Sequence, residues 1–87
     1  MLEDVKQALR VSTDGLDTEV QDIIDAAKMD LKITGINSEL DDPLIKRAII
    51  IYAKSHFGLD NQDSEKYMQS YTSLKIHLAL SPEYEVV

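Results

Sequence analysis

The chain has 87 residues, 44% of them apolar, with 16 acidic side chains against 9 basic ones, a net charge of −7 and no cysteine. That is enough for one small domain with a thin stability margin, and it excludes both a disulfide framework and a thiolate zinc site. The acidic balance argues against free-standing affinity for DNA or RNA, which depends on clustered Lys and Arg. No apolar run reaches the ~18 residues of a membrane span, and the opening MLEDVKQ lacks the order of a signal peptide, so a soluble intracellular product is expected.

Leu2, Val5, Ala8 and Leu9 recur at helical spacing, with Glu3 and Asp4 ahead of Lys6 and Arg10, as the helix dipole favours. A short first helix ending near Val11 is expected. Ser12 to Asp17 reads as a loop in which Asp17 or Thr18 can cap the next helix. That second helix runs to about Thr34, with Val20, Ile23, Ile24, Ala27 and Leu31 as its core stripe and Glu19, Asp22 and Asp25 as its acidic early turns. Gly35 terminates it. Ala26, Met29 and Ile33 form a second, weaker stripe on its far side.

After a loop from Ile36 comes the stretch on which the chain is organised, DDPLIKRAIIIYAKSHFG from Asp41 to Gly58. Asp42 is placed to cap this central helix, Pro43 suits its first turn, and Gly58 closes it. Leu44, Ile45, Ala48, Ile49, Tyr52 and His56 share one arc, the signature of a helix pressed onto a core. Ile50 falls on the opposite side among Lys46, Arg47 and Lys54, which suggests burial on two faces. A polar loop from Leu59 to Asp63 leads to a fourth helix, Ser64 to Leu80, whose stripe is Tyr67, Tyr71, Leu74 and Leu78. Ser81-Pro82 stops it. Tyr84, Val86 and Val87 lie in a tail too short for a packed element, either frayed or waiting for a partner edge. The expected fold is all-α: a compact bundle of about four short helices over residues 1–80, with a flexible C-terminal tail over 81–87.

Residues that could do chemistry are sparse. Neither His56 nor His77 has a second ligand placed with it on one helical face, Gly15, Gly35 and Gly58 are isolated punctuators rather than a phosphate loop, and the carboxylates concentrate in helix caps and first turns. No catalytic residue, metal or cofactor is expected. The segment DGLDTEV resembles the prosthetic-group site of acyl carrier proteins, but Gly15 stands where their serine would, so no phosphopantetheine can be attached. What remains is surplus apolar surface, and with it charge. The candidate interface with a partner or a second copy comprises Met29, Ile33, Lys46, Arg47, Ile50, Lys54, Phe57, Tyr84, Val86 and Val87. In a head-to-tail assembly the basic face of the central helix would meet Asp22, Asp25 and Asp30 of the next subunit.

The order of pieces resembles the head-tail connector family of tailed bacteriophages: VKQALRV, then EVQDIIDAAKMDL ending at Gly35, then the proline-led aliphatic helix with Tyr52 near its end, then a shorter final helix. The likeness spans about Leu2 to Leu80, and IIDAAK from Ile23 to Lys28 is its most telling part. It implies a structural virion protein, a head-completion or DNA-packaging adaptor without enzymatic turnover. Such a protein forms a homo-oligomeric ring under the portal, extends the channel, helps retain packaged DNA and docks the next tail-side component. DNA would pass an acidic channel without specific binding. The location implied is the virion's head-tail junction, with the host cytoplasm before assembly. The free chain is expected to be monomeric or weakly associated, with ordering of a loop or the tail on assembly. The competing reading is a small cytosolic helical regulatory or adaptor module that binds one protein partner.

Overall fold

A computed structural model describes residues 1–58 and 62–86 of the chain. Four helices account for it: α1, Leu2–Leu9; α2, Asp17–Ile33; α3, Pro43–His56; and α4, Ser64–Ala79, with 3₁₀ turns at Asp14–Leu16 and Pro82–Tyr84. The expected all-α bundle is what forms, and no strand occurs among the described residues. Val87 and the Leu59–Asn61 part of the third loop lie outside the described residues.

The start of α3 follows from two adjacent residues. Asp42 is extended, its carboxylate accepts the Leu44 amide at 2.8 Å, and Pro43 fills the first turn, where no amide hydrogen is needed. The end of α2 is equally local. Gly35 takes φ +91°, its amide donates to the Lys32 carbonyl at 2.9 Å, and the Ile36 amide reaches back to the Leu31 carbonyl at 3.0 Å. This double closure leaves Leu31 and Ile36, both fully buried, in the positions whose contact seals such a terminus. The same closure ends α1 with the Val11 amide on the Lys6 carbonyl, but here the left-handed residue is Arg10, at φ 61°. Its side chain costs about 1 kcal/mol that glycine would not. This turn ends α1 at Leu9, two residues before the expected end.

The third helix is the centre of the molecule, touching α1, α2 and α4. Its burial is accordingly wider than the expected arc: Ile45, Ala48 and Ile49 are joined inside by Ile51, Ala53 and Ser55. Leu44 lies in the first turn, past the reach of its neighbours, and is 38% exposed; His56, at the other end, is exposed as well. Around α3 the core is completed by Val5, Val20, Ile24, Ala27, Leu31, Tyr71 and Leu78, each fully buried aliphatic side chain contributing about 1.5–3 kcal/mol.

The C-terminal segment is packed rather than frayed through Val86. Tyr84 is buried and its hydroxyl donates to Asp42 at 3.0 Å, so the carboxylate that caps α3 also holds the end of the chain. The Asn37 amide donates to the Tyr84 carbonyl and the Val86 amide to the Gly35 carbonyl, forming an antiparallel bridge between Ile36 and Glu85. The edge for which this apolar end was suited is the chain's own loop after α2.

Candidate interaction surfaces

Two helix faces carry the residues singled out in the sequence, and the fold treats them differently. On α3, Lys46 pairs with Asp4 of α1 at 3.2 Å, while Lys54 and Phe57 share a shallow depression with Ala8 and Leu9 of α1, Arg10 just past its end, and Tyr67 of α4. The first helix therefore runs along the rear of α3, contacting it near both ends. Ile50, between those contacts, and Phe57 are half-buried against the core, and the Lys54 ammonium lies 5.7 Å from the centre of the Tyr67 ring. Arg47, also exposed on this face, makes no ion pair among the described residues.

On α2 the second stripe is open. Met29 is 56% exposed and Ile33 78% exposed, with Ala26 exposed one turn earlier. Towards the start of the helix this stripe leads into a groove of about 600 Å³ bounded by Gly15, Thr18, Glu19, Asp22, Ile23 and Ala26 on one side and Tyr52 and His56 of α3 on the other. Tyr52 forms its aromatic wall, stacked on His56 at 4.0 Å between ring centres and set edge-on to Tyr71 at 5.2 Å. The hydrogen bonds of His56 run from Nδ1 to the Tyr52 carbonyl (2.9 Å) and the Ser55 hydroxyl (2.7 Å), so the groove's carboxylates do not engage it. An aromatic wall and a carboxylate rim of this kind can bind.

Of the carboxylates expected to face a neighbour, Asp30 is engaged internally. It accepts the Tyr71 hydroxyl at 2.5 Å and the Lys75 ammonium at 3.1 Å. Burial works to raise its pKa, but the bonds from Tyr71 and Lys75 outweigh burial and hold the carboxyl below its ordinary value. Burial, followed by the Asp30 bond, pushes the Tyr71 phenol up. Asp22 and Glu19 have no ion pair among the described residues, and Asp25 accepts a bond from Gln21. Tyr84 lies inside the molecule, and Val86 is about half exposed beside Gly35.

One buried charge was not foreseen. Lys6 is only 4% exposed, and its ammonium meets Asp17 at 2.7 Å, Asp14 at 3.1 Å and Glu3 at 4.0 Å. The Asp17 and Asp14 bonds raise its pKa against the opposing effect of burial. Asp17, a candidate helix cap, is thus turned to α1 instead, and the 3₁₀ turn, whose Gly15 amide bonds the Thr13 hydroxyl, feeds directly into α2. The sequence signal was available: Lys6 falls within the Leu2, Val5, Leu9 arc, where a charge requires a partner. Among the described residues no cluster of side chains is arranged to hold a metal ion, and no helix is long and apolar enough to cross a membrane.

A family model described as phage connector protein matches residues 1–85. No curated protein and no solved structure matches the chain.

Proposed function

Because the chain belongs to the phage connector protein family, a family of structural proteins of the virion, we propose that it is a head-tail connector subunit that forms a homo-oligomeric ring beneath the portal. In this role it extends the DNA channel, helps retain the packaged genome and docks the next tail-side component. It leaves the host cytoplasm for the head-tail junction as the particle is completed. The observation that carries the reading is the apolar stripe left open on α2, Met29 and Ile33, on the same helix as Glu19 and Asp22, which form no ion pair among the described residues. A chain this small that half-buries Ile50 and Phe57 but leaves Ile33 in water has a surface suited to a protein neighbour.

Within the ring, the exposed Arg47, with the uncovered part of Ile50, is directed at the Asp22 and Asp25 side of the next subunit, a heterologous contact that closes when the rotation allows. Lys46, Lys54 and Phe57 frame that contact, and Val86 extends the apolar area beside α2. The net charge of −7 suits a conduit from which a phosphate backbone must slide freely.

The test is light scattering coupled to size-exclusion chromatography on the chain mixed with the portal protein encoded in the same genome. A multi-subunit complex is expected, and Arg47→Glu should abolish it while leaving helix content unchanged. Absence of a complex at every concentration would overturn the assignment.

A further inference from the structure

The outward arc of α2 has an internal symmetry that the ring contact does not use. Ala26 sits at its middle; Ile23 and Met29 lie three residues to either side, and Glu19 and Ile33 seven to either side. Those spacings are the three- and seven-residue steps of a helix seam. The two halves differ in chemistry. The first half holds the groove with the Glu19 and Asp22 rim and the Tyr52 wall, and the second presents Met29 and Ile33 as projecting apolar side chains flanked by Lys32, which has no partner among the described residues. A groove and a ridge on one helix, placed symmetrically about an alanine, are complementary to a second copy turned end for end.

We infer that the free chain pairs with a second copy through antiparallel contact of the two α2 helices, with Ala26 at the two-fold axis. Each copy then seats its Ile33 in the other's groove, against the Thr18, Glu19 and Asp22 rim. A two-fold axis brings like flanks together. Asp22, Met29 and Lys32 share one flank of the arc, so Lys32 of each copy comes within reach of Asp22 of its mate. The small side chain of Ala26 lets the helices approach closely at the axis. Electrostatics select the direction: with Asp17 held by Lys6 and Lys28 by Glu39, the first half of α2 presents Glu19, Asp22 and Asp25, and the second half presents Lys32, its Asp30 being held by Lys75. Parallel pairing would set three carboxylates against three, whereas antiparallel pairing sets acid against base and opposes the helix dipoles. The pairing occupies Asp22 and Ile33, so it competes with the ring contact and holds unassembled subunits in a form that has to open first.

Sedimentation equilibrium of the whole chain, from micromolar to millimolar concentration, tests the inference. The mass should rise from one copy to two and stop there. Ile33→Asp should raise the dissociation constant at least tenfold with unchanged far-UV circular dichroism. Lys32→Glu should weaken pairing, and Asp22→Lys added to it should restore pairing, because each copy then carries the swapped charges. Ala26→Cys in this cysteine-free chain should cross-link to a dimer under copper-phenanthroline oxidation, with Gln69→Cys on the exposed side of α4 as the uncross-linked control. A one-copy mass throughout would overturn the pairing, as would a dimer indifferent to Ile33→Asp or an Ala26→Cys chain that cross-links no faster than the control. None of these readouts involves the portal, so they stand or fall apart from the ring.

Discussion

The far side of α2 and the rear of α3 look alike as sequence: each is a secondary apolar stripe on a helix that already has a core face. In the fold they part. The rear of α3 is covered by α1, anchored at Asp4–Lys46 and again beside Lys54 and Phe57, and Ile50 is half-buried there. The far side of α2 is left open among the described residues, and Ile33 stands 78% exposed. The difference is one of position. A helix at the centre of a bundle collects neighbours on more than one face, whereas a helix at the edge keeps one face for water or for another molecule. A surplus apolar residue is therefore informative about association only once the helix that bears it is known to be peripheral.

The sharpest way to break this contrast is to place the same charge on both faces. Ile50→Asp should cost about 3 kcal/mol, since a carboxylate would be forced against the apolar core. Ile33→Asp should stay within about 0.5 kcal/mol. Urea midpoints of the two variants would show it, and equal midpoints would erase the distinction. Next in size is Asp42→Ala, which removes both the cap of α3 and the acceptor of Tyr84 and should cost about 2 kcal/mol. Tyr84→Phe should cost only about half of that, and if the two are equal the cap is contributing nothing.

Arg10→Gly sharpens the comparison from the other direction. By relieving the left-handed turn that positions the end of α1 over α3, it should stabilise the chain by about 1 kcal/mol, seen as a higher midpoint. The acid limb of stability should carry a smaller signature of Asp30. Its folded pKa lies below the ordinary value, so its contribution is fully present above about pH 4 and is lost as pH falls through the folded value. Asp30→Asn should flatten the stability profile below pH 4 and leave its slope near neutrality unchanged. Smallest of all is the exposed Asp4–Lys46 pair: Lys46→Gln should cost about 0.5 kcal/mol, an effect that shrinks in high salt.

What could be read from the sequence was local. Asp42-Pro43 and Gly35 fix helix ends through interactions within a few residues, and the Tyr67, Tyr71, Leu74, Leu78 stripe needs only the helical period. What could not be read depended on which helix lies beside which. The Tyr84 hydroxyl reaches Asp42 across the whole of α3 and α4, and Ile50 is half-buried only because α3 is central. Lys6 falls between these cases. Its place in an apolar arc was visible, but its partners Asp14 and Asp17 looked like loop and cap residues until the loop folded back. For the interaction surface, Met29 and Ile33 stand where the periodicity put them, while the groove beside them required the meeting of Tyr52 with the start of α2, and no residue pattern announces that.

The account turns on whether the open face of α2 is covered when the protein works. Methionine oxidation measures this directly, because Met29 is 56% exposed in the single chain and can be followed by peptide mass spectrometry. In dilute chain Met29 should oxidise readily; in the portal-bound assembly it should be protected at least tenfold, while Met1 keeps its rate. Equal oxidation of Met29 in the dilute and assembled states would contradict the account.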